Sequence, residues 1–433
     1  MKKLMSLLLA TSLMLSLAAC GGTAAPSSSP SASASPSASA SASPSAPAEI
    51  KYSQGASDTK ILIANSAATS GAYAPVGVPF IAGIQAYLDM VNSEGGIDGR
   101  QIEFLHVDDE FDPVKGKAAL QNFVEDEKVF AIVGHFGTPV VGATIDDLKS
   151  YGIPSVYFAT GIGQLYAEGA TTNEEGYNIF PVQPIYTTEG QIMVARGVSN
   201  FKATKIGIIY TNDDAGKDML KGAEAKCKEL GVEYQAEQVT AGAADVSAAV
   251  TSIKNGGADF IICAAIQATM PTIVKELAAQ GMTAPVITTY VNVSSAIPEL
   301  VASDIAGKFD VYGNGWVAYD DQAALSLYQE WISKIDESYK MNAYAQTGWI
   351  AAHFFCEGLR RIEGQDITWE NYMKALETGG YIQNPFGGKI DYADGTRAGT
   401  QEMNLSKINP ETESGWELVY GLDSMENLLS SAG

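Results

Sequence analysis

Residues 60–113 read KILIANSAATSGAYAPVGVPFIAGIQAYLDMVNSEGGIDGRQIEFLHVDDEFDP, and the change of hydrophobic period along them decides the fold. Ile61 to Ala64 is an apolar run of strand length, and the small and polar residues from Asn65 to Gly77 form a loop. Phe80, Ile84, Tyr87, Leu88 and Val91 then recur at helical spacing until Gly95-Gly96 stops the helix. Ile102 to Val107 is the next strand, and Asp112-Pro113 caps the helix that carries Ala118, Leu120 and Phe123. A strand-helix-strand-helix series of this kind implies right-handed crossovers and a parallel sheet covered on both faces.

Working outward, Phe130 to Val133 and Pro154 to Phe158 continue the series. The pattern restarts at Ile206 to Tyr210, with a helix from about Gly216 to Leu230, strands at Phe260 to Ala264 and Val286 to Thr289, and the helix Pro271 to Gln280 between them. The expected fold class is therefore α/β with two doubly wound parallel-sheet lobes. After Phe309 to Tyr312 the chain is helical through Ala323 to Glu337, Trp349 to Arg361 and Trp369 to Glu377, and these helices are expected to return to the first lobe. Ligands of open α/β sheets sit outside the carboxyl ends of the strands. Ser70-Gly71, Gly137-Thr138-Pro139 and Ala159-Thr160-Gly161 offer hydroxyls and open N–H donors there, a cradle for a carboxylate. The same residues are ordinary helix caps, so only convergence of several loops marks a site.

Upstream, Lys2 and Lys3 precede an apolar segment from Leu4 to Leu17, too short for a spanning helix of ~20 residues, and small residues lead to Cys20. This reads as an export signal over residues 1–19. The ending Leu17-Ala18-Ala19-Cys20 resembles the bacterial lipobox, which implies that Cys20 is lipidated and holds the protein to the membrane from outside the cytoplasm. The Ser/Ala/Pro-rich stretch that follows has too little apolar content to build a core, so residues 20–59 are expected to be the lipidated Cys and a tether.

The formal net charge is −23, and loss of Lys2 and Lys3 with the signal leaves 25 basic against 50 acidic residues. That balance argues against nucleic acid and anionic lipid as partners. Cys227, Cys263 and Cys356 fall in apolar strand or helix patterns and read as buried free thiols. Neither they nor His106, His135 and His353 have metal-ligand spacing, and Asp112 of the acid cluster Asp108, Asp109, Glu110 and Asp112 is accounted for as a cap. No metal or cofactor is expected.

Ser70-Gly71, Gly77, Gly83, Asn92, the run Gly95 to Arg100, Asp108-Asp109 and Asp112-Pro113 together resemble the opening of the branched-chain amino acid binding proteins of ABC importers. Ile132-Val133-Gly134-His135, Gly152-Ile153-Pro154, Ile208-Ile209-Tyr210 and Gly281-Met282 follow in that family's order, and Phe386-Gly387-Gly388 with Asp391 and Asp394-Gly395 resembles its closing hairpin. The likeness spans about residues 60 to 422. It implies a type I periplasmic-binding fold, with lobe I from residues 60–182 and 315–398, lobe II from 183–314 and 399–422, and a tail at 423–433. Crossings are expected near Phe180 to Gln183, Gly313 to Tyr319 and Ala398 to Thr400. The implied function is a monomeric solute-binding lipoprotein that closes on a small organic solute and presents it to a membrane permease.

Carried over by position, Thr138 stands for the Ser that receives a ligand carboxylate in amino acid binders, with Phe136 and Gly137 before it. Ala159 matches a backbone contact, Gly161 holds the place of a Thr that Thr160 now precedes, and Tyr344 matches an aromatic contact. Tyr290 replaces the carboxylate that meets a ligand ammonium, Ile266 beside Gln267 replaces a Tyr, and Ala215 replaces an aromatic with Asp213 and Asp214 alongside. The first loop moves its aromatic from Val76 to Tyr73, close to Ser70. An unpaired buried ammonium costs several kcal/mol. Either Asp213 or Asp214 supplies an anion, or the ligand lacks the ammonium and Tyr73, Tyr290, Trp316 and Tyr344 receive an aromatic or larger organic acid or amide.

Two other readings compete. A ligand-sensing module for a membrane receptor would have the same fold. A hydrolase would need a nucleophile with its base, and no such spacing occurs; the implied protein is not an enzyme.

Overall fold

The protein is described by a computed structural model covering residues 49–171 and 174–432. The export signal, Cys20 and the tether as far as residue 48 lie outside the described residues.

In chain order the first elements are β1 (Lys60–Ala67), α1 (Ala74–Ser93), β2 (Gln101–Asp108), α2 (Pro113–Glu125), β3 (Ala131–Phe136), α3 (Thr138–Tyr151), β4 (Ser155–Ala159) and β5 (Ile179–Phe180). They form a parallel sheet in the order β2-β1-β3-β4-β5. The chain then builds α4 (Tyr186–Phe201), β6 (Lys205–Thr211), α5 (Asp214–Leu230), β7 (Glu233–Val239), α6 (Ser247–Gly256), β8 (Phe260–Ala264), α7 (Met270–Ala279), β9 (Val286–Thr288), α8 (Ala296–Ile305) and β10 (Val311–Gly315). Next come α9 (Gln322–Ile332), α10 (Ala343–Arg360), α11 (Trp369–Thr378) and the small hairpin β11 (Ile382–Gln383) and β12 (Lys389–Ile390). The chain ends with β13 (Glu402–Ile408), β14 (Trp416–Ser424) and α12 (Met425–Ser430). The second sheet runs β14-β13-β10-β9-β8-β6-β7, with β13 and β14 antiparallel additions to an otherwise parallel sheet.

Strands β3 and β8 are buried along their whole length, as helix-covered parallel strands require, which is why their sequences read as unbroken apolar runs. In each lobe the first strand has the second on one side and the third on the other. That reversal opens a crevice at the carboxyl ends of the strands. Each lobe is locked by a close helix crossing. In lobe I, α1 meets α10 where a side chain at Gly83 or Gly348 would overlap the carbonyl of Ala345 or Phe80; in lobe II, α4 meets α5 where one at Gly190 or Gly222 would overlap that of Met219 or Thr187.

The segments that leave one sheet for the other are tied to each other and to the β11–β12 region. Thr400 N donates to Val182 O at 2.9 Å, Tyr392 Oη donates to Pro181 O at 3.0 Å, and Ala318 N donates to Phe386 O at 2.8 Å.

Several expected boundaries change. Residues 50–59, expected in the tether, belong to lobe I: Tyr52 bridges to Ile367, and Gln54 donates to the carbonyls of Val124 and Val129. Residues 423–430, expected in a C-terminal tail at 423–433, complete β14 and form α12, whose Met425 is buried. The helix expected after Gly77 begins at Ala74, with a Pro at its start where the missing N–H costs nothing. The helix expected to run to Glu337 stops at Ile332, and α10 starts at Ala343, capped by Asn342. Strand β7 was not legible because it is a half-exposed edge with few apolar residues.

Candidate functional site

Between the lobes lies a cavity of about 310 Å³. On the lobe I side, Tyr73 precedes α1, Phe136 ends β3, Gly137 follows it, Thr138 opens α3 and Ala159 ends β4. On the lobe II side, Ile266 and Gln267 follow β8 and Tyr290 follows β9. Trp316 leaves β10, and Tyr344 projects from the first turn of α10. These ten sequence-selected residues line one space.

Five others do not. Ser70 does not line the cavity; its neighbour Thr69 donates its backbone N–H to Asp108 Oδ1 at 3.0 Å and closes the first loop. Thr160 Oγ1 is 2.7 Å from Thr138 Oγ1 and accepts from Ile162 N, so it supports Thr138 from behind. Gly161 is covered by Pro184 O and the phenol of Tyr290. Asp213 is spent on capping α5, accepting from Gly216 N at 2.9 Å and Thr211 Oγ1 at 2.8 Å. Asp214 faces a separate surface groove with Lys217, Asp218 and Lys221. Neither aspartate lines the cavity, although the Asp213 charge lies close enough to act on the Tyr73 phenol.

The sequence did not single out Phe111, Tyr186, Gln183 or Glu189. Phe111 sits in a tight turn at the end of β2 with Glu110 and Phe111 both left-handed, φ 54° and 64°. The acid cluster holds that turn: Asp108 accepts from Glu110 N, Asp109 from Phe111 N, and Asp112 from Val114 N. The ring of Phe111 stacks on Tyr73 at 3.7 Å and meets Phe136 edge-on at 6.3 Å. Gly137, at φ 89°, leaves room for it, since a Cβ there would lie 2.6 Å from Phe111.

On the other wall Tyr290 is fixed by three groups. Its phenol donates toward Gln183 Oε1 at 3.2 Å and Pro184 O at 3.0 Å, and its backbone N donates to Glu189 Oε1 at 2.8 Å. Gln183 in turn donates to Tyr157 Oη of lobe I at 2.7 Å. Glu189 is wholly buried and also accepts from Thr289 Oγ1 at 2.6 Å and from Asn314 Nδ2 at 3.3 Å. Burial pushes its carboxyl up to about 7, against the pull of those donors. This carboxylate is committed to the protein and does not line the cavity.

The cavity interior is uncharged. Its charged lining residues among the described ones are Asp320 and Glu413, both exposed at the rim. Burial pushes the phenols of Tyr73, Tyr186 and Tyr344 up to about 12, so they stay protonated. The Tyr186 hydroxyl joins those of Thr138 and Thr160 in a polar cluster at one end. The lobes touch across the space, Tyr344 Oη donating to Val291 O at 3.1 Å, and again at the separate surface groove, Gly163 N donating to Asp218 Oδ2 at 2.7 Å.

The three histidines have structural partners: His106 bonds Asn65 and Thr69, His135 bonds Thr144, and His353 bonds Tyr87 and the carbonyl of Gln383. Cys227, Cys263 and Cys356 are buried free thiols.

A profile described as periplasmic binding protein matches residues 60–414. The Leu/Ile/Val-binding protein homolog 2 of Brucella abortus (strain 2308) is 26% identical over 296 residues, covering 67% of this chain and 77% of that protein. Two solved structures share the fold. One is a fatty acid ABC transporter substrate-binding protein from Thermomonospora curvata, with a TM-score of 0.73 and 20% identity over 88% of this chain and 96% of that one. The other is a branched chain amino acid ABC transporter from Thermus thermophilus with bound valine, with a TM-score of 0.74 and 16% identity over 86% of this chain and 98% of that one.

Proposed function

We propose that this chain, which belongs to the periplasmic binding protein family, captures a small organic solute outside the cytoplasm and delivers it to the membrane permease of an ABC importer. The observation that carries the reading is the uncharged cavity walled by two separately built sheets, with Thr138 and Phe111 on one side and Tyr290 and Ile266 on the other. A solute touching both walls makes its full set of contacts only when the lobes are together, so binding shifts the population toward the closed form. A permease that reads the relative position of two lobe surfaces can then distinguish loaded from empty protein.

Names of relatives and fold neighbours that refer to ABC transport of amino acids and of fatty acids support this class of cargo carrier. Lipidation at Cys20 and a Ser/Ala/Pro tether would hold the body at the membrane surface as a monomer.

Small-angle scattering tests the reading. A panel of amino acids, carboxylic acids and amides is expected to contain at least one solute that reduces the radius of gyration and raises the melting temperature together. Failure of every class to compact the protein would overturn it.

A further inference from the structure

We infer that the solute is an elongated amphipathic molecule without an ammonium group: an oxygen-bearing head, carboxylate or amide, at the Thr138 hydroxyl, and an apolar chain laid across the face of lobe II toward β14. The inference deepens the solute-binding reading above and rests on it.

The cavity does not stop at the cleft between the strand tips. From Trp316 and Val317 it continues over one face of β10, β13 and β14, where Gly315, Ser406 and Leu418 lie in successive strands. Ser406 pairs with Gly313 on one side and Leu418 on the other, so a groove passing from β10 to β14 crosses two strand spacings, ~10 Å. Gly313 gives room to Val293 and the Trp416 ring, and Gly315 to the Asn404 side chain. The groove's one amide side chain, Asn404, donates to Val317 O at 2.7 Å, and its Oδ1 is a buried acceptor with no partner among the described residues. The far end is open, with Leu418 60% exposed.

Among the described residues no carboxylate lines the interior to pair with an ammonium. The acidic lining residues are exposed at the rim, and the buried carboxylate of Glu189 sits behind Tyr290 with three donors of its own. A free amino acid would bury its charge unpaired and leave the arm over β13 filled with water. A chain of methylenes would instead cover Trp316, Trp416 and Leu418, which flank Ser406 in the arm, while the hydroxyl cluster of Thr138, Thr160 and Tyr186 serves the head.

The test is calorimetric titration of the purified protein with butanoate, hexanoate, octanoate and decanoate, with the matching amides, and with leucine and phenylalanine beside 4-methylpentanoate and 3-phenylpropanoate. Affinity is expected to rise about three- to four-fold per added methylene. The acid and amide series distinguish the charge of the head. Ser406→Trp, which fills the arm, is expected to abolish the gain from hexanoate to decanoate. Leu418→Asp, at an exposed site that folding tolerates, is expected to weaken decanoate while leaving hexanoate unchanged. Tighter binding of leucine or phenylalanine than of their deaminated counterparts, or affinity flat with chain length, would overturn the inference and leave the solute-binding reading standing. Absence of binding by every compound would overturn both.

Discussion

The phenol oxygen of Tyr344, at the start of α10 in lobe I, lies 3.1 Å from the carbonyl oxygen of Val291 in lobe II, and the bond crosses the solute cavity. Gln267 Nε2 donates to the same carbonyl at 2.8 Å from within lobe II. Loss of the phenol therefore leaves no orphaned acceptor.

Tyr344→Phe is expected to weaken solute affinity by about 1 kcal/mol, roughly five-fold, and to leave thermal stability of the empty protein nearly unchanged. Titration calorimetry beside a melt of the empty protein checks it. Equal losses in both would mean that the hydroxyl stabilises lobe I alone.

Glu189 predicts a pH dependence. Its carboxyl sits at about 7 when folded and at 4.5 in its ordinary state, so between those values the folded protein holds a proton that the unfolded chain has released. Stability is then greatest below pH 4.5 from this group and is lost as pH rises toward 7, by up to ~3 kcal/mol. Glu189→Gln, whose amide can donate to Thr289 and accept from Tyr290 N, is expected to show a shallower decline over that window. Urea denaturation across it would reveal the difference, and parallel curves would remove Glu189 as the cause.

Gly137→Ala places a side chain at φ 89° and 2.6 Å from the Phe111 ring. The backbone term alone is worth about 1–2 kcal/mol. The expected result is a lower melting temperature together with weaker solute binding, because Phe111 must leave its stack on Tyr73. A near-ultraviolet circular dichroism spectrum identical to that of the parent would show that the ring had not moved.

Cys20→Ala is expected to release the protein from the membrane fraction of expressing cells without changing its solute affinity. Retention in the membrane would show that another segment holds it.

How much of this could be read from the residues alone depends on burial. Ile61 to Ala64 and Phe260 to Ala264 are strands covered on both faces, so their apolar runs stand out. Strand β7, with Glu233, Gln235 and Glu237, lies at a sheet edge and carries no such signal. The cleft residues that follow strands were legible because the fold class fixes where ligands go. Phe111 was not, because two consecutive non-glycine residues in left-handed geometry leave no mark in sequence; they are held by Asp108 and Asp109. Glu189 looked like any acid on an amphipathic helix, and only the packing of α4 under Tyr290 makes it internal. The reach of the cavity over β13 and β14 was hidden for a third reason: β14 is mostly exposed, and its side chains resemble surface.

The paired glycine crossings, Gly83 with Gly348 and Gly190 with Gly222, make each half a stiff plate whose helices are too tightly keyed to slide. Bending must then be confined to the three linking strips. Replacement of side chains on the plates can retune what is gripped without altering the swing, whereas a change in a strip away from the cavity would alter the timing of release for every cargo alike.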